Sequence, residues 1–120
     1  NSGIELENFI HYEFIPNKTL DLVGVDMYFS FFPGININLK KIIIHTKKDK
    51  KIIPSNELII TSNFSFIQNE KDQISILSLK EGDEIVRITF QKNTLYENTE
   101  KIELIMNFKK MKLSNNFYCN

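Results

Sequence analysis

The sequence predicts an all-β domain, an antiparallel β-sandwich of about seven to eight strands, from three observations. Apolar residues recur at every second position in one segment after another, which is the period of a half-buried strand. Turn residues such as Pro33-Gly34 separate these segments. The chain is rich in Ile and Phe and contains no Ala, so strand-favouring residues replace the best helix former.

We expect each alternating segment to form one strand. The seven segments span residues 4–15, 22–32, 35–44, 57–67, 74–79, 86–91 and 102–108. In the third segment the apolar phase shifts beyond Lys41, from Leu39 to Ile42, which predicts a β-bulge. Charged and polar residues at 47–51 and 92–99 predict loops.

The alternation also predicts which side chains face the core. The inward residues of the first, second and fourth segments are Ile4, Leu6, Ile10, Tyr12 and Phe14; Val23, Val25, Met27, Phe29 and Phe31; and Leu58, Ile60, Phe64 and Phe66. Apolar sides of this length suit two sheets packed face to face. Seven short alternating strands in about 110 residues are typical of an immunoglobulin-like sandwich. We expect residues 1–120 to form this one domain, as a piece of a larger chain.

Charge and cysteine content narrow the classes of partner. The 15 basic and 15 acidic residues cancel, so the chain has no general attraction to nucleic acid or to anionic membranes. The single cysteine, Cys119, cannot form an internal disulfide, which favours a reducing, cytoplasmic location. No apolar run approaches the roughly 20 residues that span a bilayer, so any membrane contact is expected to be peripheral.

No pattern of catalytic, metal-binding or cofactor-binding residues is visible. His11 and His45 have no second ligand at metal-binding spacing, and there is no Gly-x-Ser-x-Gly nucleophile elbow. Glu81, Asp83 and Glu84 are predicted to lie in a wet hairpin turn, whereas a catalytic acid needs an apolar pocket. The sequence therefore predicts a chain without enzymatic activity, metal or cofactor.

Six lysines form the strongest local concentration of charge. They are Lys40, Lys41, Lys47, Lys48, Lys50 and Lys51. One interpretation is a solvated edge protected against strand addition. The alternative is a basic patch that receives an acidic peptide or a phosphoinositide headgroup. Nucleic acid is disfavoured, because the aromatic residues alternate inward and do not interleave with lysines on an open face.

Exposed apolar residues are the second candidate for binding. Tyr28 and Phe32 are predicted to face away from the inward side of the second strand, and Leu95 and Tyr96 to lie in a loop. If they cluster, they form a shallow groove for the aromatic anchors of a peptide. Alternatively, they pack under a loop or against a neighbouring domain of the same chain.

Three stretches resemble the sandwich part of the clathrin-adaptor appendage, the ear domain of the large adaptins, of the alpha or gamma type. The stretches are LDLVGVDMYF at 20–29, LKEGDEIVRI at 79–88 and MKLSNNFY at 111–118. The resemblance implies a cytosolic domain that recruits accessory proteins through short linear motifs during vesicle formation. The gamma-type ear is a lone sandwich, which fits the length. No peptide-binding residue of either family can be matched to a position of this sequence.

These observations favour a non-catalytic protein-interaction module that holds short peptides by edge pairing or in a shallow groove. Two alternatives remain open. In the first, the lysines are the site at which the domain docks on phosphoinositide membranes. In the second, the domain is purely structural, an immunoglobulin-like unit of a surface or secreted protein.

Overall fold

A computed structural model describes residues 9–110 of the chain. Several features singled out in the sequence lie outside the described residues: Ile4 and Leu6 of the first predicted strand, Cys119, and the stretch 111–118 that resembles an adaptor ear.

The described residues form ten strands and two short 3-10 turns. The strands are β1 (Phe9–Phe14), β2 (Leu20–Leu22), β3 (Gly24–Phe31), β4 (Ile35–Thr46), β5 (Lys50–Pro54), β6 (Leu58–Ser62), β7 (Ser65–Asn69), β8 (Ile74–Ser78), β9 (Gly82–Phe90) and β10 (Tyr96–Lys110). The 3-10 turns are Ser55–Glu57 and Gln91–Asn93. Within residues 9–110 there is no helix long and apolar enough to cross a membrane.

The strands form two antiparallel sheets around one core. The larger sheet has the order β1-β10-β4-β8-β7, with β2 paired to β10 and β5 paired to β4. The smaller sheet has the order β3-β9-β6. The prediction of an all-β antiparallel fold is confirmed, but the described part of the chain has ten strands where seven to eight were expected.

The core is built mainly from the central strand of each sheet. Ile37, Ile42 and Ile44 of β4 are completely buried, and Val86 and Ile88 of β9 face them from the smaller sheet. Full burial of one such side chain contributes about 1.5–3 kcal/mol, before the loss of conformational entropy is subtracted. The central strands therefore supply much of the stabilising apolar contact.

The predicted β-bulge is present in β4. The pairing with β10 steps from Lys41 opposite Ile105 to Leu39 opposite Met106, which leaves Lys40 as the extra residue. A bulge lets the side-chain phase of a strand shift by one residue. Because of it, Leu39 and Ile42 both point into the core and are completely buried.

Two predicted strands are each divided between the two sheets. The segment 22–32 changes sheet at Val23, between β2 and β3, and Val23 is exposed instead of inward. The segment 57–67 changes sheet at 63–64, between β6 and β7. The alternation restarts at this crossing, so Ile67 packs on the core while Phe64 and Phe66 are exposed, which corrects their predicted inward position.

Both predicted loops are shorter than expected. Lys50–Pro54 forms β5 and pairs with β4 as a hairpin, and β10 already begins at Tyr96. The turn between β4 and β5 is stabilised by Thr46, whose hydroxyl accepts the backbone N–H of Asp49 at 3.1 Å. Only the tip of each predicted loop is therefore irregular.

Candidate functional site

The two sheets differ in width, and this leaves one flank of the sandwich open. The larger sheet is five strands across and the smaller sheet three. On one flank the chain crosses from β6 to β7 and joins the sheets. On the opposite flank the chain also crosses between the sheets, at Val23 between β2 and β3, and beside this crossing an apolar cavity of about 500 Å³ separates the edge strands β1 and β3. We call this cavity the β1–β3 groove.

Buried core residues form the floor of the β1–β3 groove and exposed apolar residues form its rim. The floor includes Leu22, Met27 and Met106, which are nearly or fully buried. The rim includes Tyr12 and Phe14 of β1, which point inward but remain 44% and 55% exposed. These rings face the groove because the smaller sheet does not extend far enough to cover them.

Three aromatic rings connect the two sheets near the C-terminal part of β3. Phe108 of β10 contacts Tyr12 edge to face, with ring centroids 6.3 Å apart, and contacts Phe29 of β3 in the same way at 6.4 Å. Such pairs contribute about 0.5–1.5 kcal/mol beyond their buried area. The rings thus hold β1 and β3 at a defined separation.

In the described part of the chain, the charged residues that line the β1–β3 groove are Glu13 and Asp26, and both are paired. Glu13 forms an ion pair with Lys101, whose Nζ lies 3.0 Å from the Glu13 Oε1. Asp26 accepts two hydrogen bonds from Arg87, at 2.8 and 3.0 Å, and these bonds hold the pKa of Asp26 below its usual range. Exposed ion pairs of this kind add little stability. Because these ion pairs neutralise the two carboxylates, the exposed surface of the groove rim consists mainly of its apolar rings.

The edge of β3 beside the groove carries one charged residue, Asp26, but neither of the residues that most often protect a strand edge, Lys and Pro. Within residues 9–110, β3 pairs only with β9. Edge strands are commonly blocked by Lys, Pro or a bulge, and GVDMYFSF contains neither Lys nor Pro and pairs with β9 without a register shift. Every second residue of an edge strand directs its N–H and C=O outward. Residues 24–28 therefore present a template for another strand.

A second recess, of about 520 Å³, lies at the C-terminal end of β3. It is lined by Tyr28, Phe29, Ser30, Asn63, Phe64, Asp83, Glu84 and Ile85. We call it the acidic recess, because its charged residues are the two carboxylates. It shares Tyr28 and Phe29 with the β1–β3 groove, so the two are neighbours along β3.

Glu84 anchors the β6–β7 crossing beside the acidic recess. Its carboxylate accepts hydrogen bonds from the Ser62 hydroxyl, from the Ser65 hydroxyl at 2.5 Å and from the Phe64 backbone N–H at 2.8 Å. The residue is only 5% exposed, so its predicted place in a wet turn is wrong. It is the inward residue at the start of β9, and three donors compensate for its burial.

The predicted apolar contact residues do not form one cluster. Tyr28 is 73% exposed and lines both recesses, and Phe32 is exposed just after β3. Leu95 is exposed at the other end of the molecule, beside the β4–β5 turn. Tyr96 is half-buried in β10 with its ring edge-on to Phe90 at 4.9 Å, so its predicted exposure in a loop is wrong.

The six lysines do not form one patch either. Lys40 and Lys41 lie in the middle of β4, whereas Lys47, Lys48, Lys50 and Lys51 surround its end. Seven residues of strand place Lys40 about 23 Å from Lys47. Asp49 lies within the terminal group and pairs with Lys51 at 3.3 Å, and hydrogen bonds from Thr46 and Lys51 lower its pKa. The terminal group is thus partly neutralised.

The two histidines meet a single carboxylate on the outer face of the larger sheet. The His45 Nε2 lies 2.5 Å from Glu103, and the His11 Nδ1 lies 3.9 Å from the other oxygen. The hydrogen bond with His45 lowers the pKa of Glu103, although partial burial opposes the shift. In the part of the chain that the structure describes, no group of three His, Cys, Asp or Glu residues is arranged to hold a metal ion.

Comparisons with family models, curated proteins and solved structures find no match to this chain. The resemblance to an adaptor ear therefore stays a prediction. The function of the chain has to be inferred from the two recesses and the strand edge between them.

Sequence reasoning found the residues of the β1–β3 groove but assigned them to the core. Tyr12, Phe14, Val25 and Phe29 were predicted to point inward, and they do. Alternation reports the face of a sheet on which a side chain lies, not whether a second sheet covers that face. Whether these inward residues are buried or line a groove depends on the unequal width of the two sheets, which alternation does not indicate.

Proposed function

We propose that this chain is a non-catalytic protein-interaction module that binds an extended apolar peptide along β3. The peptide adds a strand to the edge at residues 24–28 and places alternate side chains in the β1–β3 groove. The observation that carries the proposal is an apolar groove of about 500 Å³ directly beside a strand edge, residues 24–28, that has no partner strand within residues 9–110. Within this proposal the chain is an immunoglobulin-like sandwich that recruits partner proteins, as the resemblance to adaptor ears implies.

The size and composition of the groove support a peptide as its ligand. Its volume lies in the range of about 300–1,000 Å³ that is usual for ligand sites, and its lining is mostly apolar. A polar backbone entering an apolar groove needs hydrogen-bond partners, and the free edge of β3 supplies them. In strand addition, main-chain hydrogen bonds give affinity and the pockets for alternate side chains give specificity.

The first test uses a displayed library of random 12-residue peptides, selected on the wild-type chain. Selected peptides are synthesised and their Kd is measured by calorimetry against wild type, Phe14→Ala and Phe66→Ala. The two variants are matched, because Phe14 of β1 and Phe66 of β7 are 55% and 54% exposed on different edge strands.

We expect Phe14→Ala to weaken binding about 30-fold, because it removes an aromatic anchor worth about 2 kcal/mol, while Phe66→Ala binds as wild type. Hydrogen exchange should show new protection of alternate amides in β3 when peptide binds. Equal losses in both variants, or no change in the exchange of β3, would refute the proposal.

A second pair of variants separates the groove from the lysines. Lys47→Glu/Lys48→Glu is expected to keep wild-type Kd at low and at high salt, because these residues lie beside Leu95 and neither of them lines the groove. If the charge reversal abolishes binding, or if binding to wild type disappears as salt rises, the terminal lysines are the site and the ligand is an acidic peptide or a phosphoinositide.

A further inference from the structure

The acidic recess combines aromatic surface with negative charge. Tyr28 and Phe64 supply exposed rings, and Asp83 and Glu84 supply carboxylates. Among residues 9–110, no Lys or Arg lines the recess. Rings and carboxylates together attract ammonium and guanidinium groups, because the face of an aromatic ring is electrically negative.

The chain itself shows that one of these rings attracts a cation. The ammonium nitrogen of Lys80 lies 4.8 Å from the centroid of Phe64, within the range of a cation–π contact. Lys80 comes from the β8–β9 turn and is not among the residues that line the recess. Phe64 is still 42% exposed and Tyr28 73% exposed, so aromatic surface in the recess remains for a cation from a ligand.

Among the carboxylates of the two recesses, Asp83 has the greatest capacity for a new partner. Glu13 and Asp26 are paired with Lys101 and Arg87, and Glu84 already accepts three hydrogen bonds. Asp83 is exposed, and in the described part of the chain it accepts one hydrogen bond, from the Ser30 hydroxyl to Oδ1 at 2.5 Å. Its other oxygen is available to a ligand.

The position of the acidic recess relates it to the proposed peptide. It shares Tyr28 and Phe29 with the β1–β3 groove. From Val25 to Ser30, β3 extends about 17 Å, so an added strand of six residues reaches from one recess to the other. Asp83 lies in β9 opposite Ser30, so a long basic side chain at the end of the peptide has to cross over Ser30 to reach it, while the apolar side chains occupy the groove.

We propose that Tyr28, Phe64 and Asp83 bind an Arg or Lys side chain of the same peptide whose apolar residues occupy the β1–β3 groove. The inference rests on the proposed function and adds the chemistry of the partner, an extended peptide with alternating apolar residues and a basic residue at one end. A basic partner is the opposite of the acidic ligand that the lysine patch would require.

The test uses the peptides selected on wild type and one matched pair made from them. In the pair, the basic residue is either arginine or citrulline, which has nearly the same shape but no charge. Their Kd values are measured against wild type, Asp83→Asn and Phe14→Ala. Asparagine retains an oxygen acceptor for Ser30, so this variant removes the charge and leaves the local hydrogen bond possible.

We expect Arg or Lys to be enriched at one end of the selected peptides. Replacement by citrulline should weaken binding to wild type at least about fivefold and change binding to Asp83→Asn by less than about twofold.

Three results would overturn the inference. In the first, Phe14→Ala abolishes peptide binding, but the peptides contain no basic residue or bind equally well with citrulline. This result would support the groove as the peptide site and refute the cation site. If the citrulline penalty persists in Asp83→Asn, another carboxylate binds the cation. If no peptide requires Phe14, the proposed function fails and this inference fails with it.

Discussion

The flank at the β6–β7 crossing and the flank at the β1–β3 groove differ in what covers their inward side chains. At the crossing the chain itself joins the sheets, and Glu84 fastens the turn with three hydrogen bonds. At the groove, Tyr12 and Phe14 point inward just as regularly, yet remain about half exposed. The same alternation in sequence therefore gives a buried, fully bonded residue beside the β6–β7 crossing and half-exposed rings at the groove, where the larger sheet extends beyond the smaller one.

The largest expected effect on stability comes from comparing two inward-facing phenylalanines, one buried in the core and one half exposed at the groove. Phe90→Ala should lower the free energy of unfolding by about 3–5 kcal/mol, because Phe90 is 2% exposed and its loss leaves a cavity in the core. Phe14→Ala should cost less than about 1 kcal/mol, because that ring already faces solvent. Urea unfolding of both variants measures the difference. Similar losses would mean that the β1–β3 groove is closed in solution.

The second prediction concerns the hydrogen bonds that Glu84 accepts at the β6–β7 crossing. Glu84→Ala should cost about 2–3 kcal/mol, since it leaves two hydroxyls and a backbone N–H without their acceptor. Glu81→Ala, at an exposed position just before β9, is the control and should lie within about 0.5 kcal/mol of wild type. Equal unfolding midpoints for the two variants would show that the crossing does not depend on Glu84.

The third prediction tests whether β3 is held rigidly, although within residues 9–110 it pairs with β9 alone. A Cβ added at Gly24 would lie 2.5 Å from the carbonyl oxygen of Ile88 in β9, which is closer than Cβ atoms approach other non-bonded atoms in proteins. Gly24→Ala should therefore cost about 1–3 kcal/mol in urea unfolding, as overpacking does. An unchanged midpoint would mean that β3 shifts away from β9 at little cost.

The fourth prediction concerns the pH dependence of the outer face beside β1. The hydrogen bond with His45 lowers the pKa of Glu103 below 4.5, the ordinary value for a glutamate side chain. A carboxyl with a lowered pKa stabilises the fold fully above pH 4.5, and this contribution is lost as pH falls from there through the folded value. A carboxyl NMR titration should show the pKa of Glu103 rising in His45→Asn. An unchanged titration would assign the shift to other groups.

The smallest expected effect concerns the lysines at the β4–β5 turn. Lys51→Ala removes the ion pair with Asp49, in which both side chains are about half exposed. Such pairs contribute about 0–1 kcal/mol, so we expect a change in unfolding free energy of less than about 0.5 kcal/mol. A loss above 1 kcal/mol would show that this turn, and not only the two flanks, stabilises the sandwich.

Part of the candidate site could be predicted from the sequence. Tyr28 was expected to be exposed, and it contributes to both recesses. The hydrogen bonds from Ser62 and Ser65 to Glu84 could not be predicted. About 20 residues separate the two serines from Glu84, and the contact depends on the chain changing sheet. The same is true of Asp83 and Ser30, which meet only because β3 and β9 are neighbours.

By itself, the sequence determined that the chain is all-β, where most strands lie and that β4 contains a bulge. These properties follow from local rules, namely residue preference and the two-residue period of side chains along a strand. Only the tertiary structure decided where the chain changes sheet, at Val23 and between Asn63 and Phe64, and which inward rings stay uncovered. The physical reason is that burial depends on the opposite sheet, whose width is set by pairings between residues far apart in the chain.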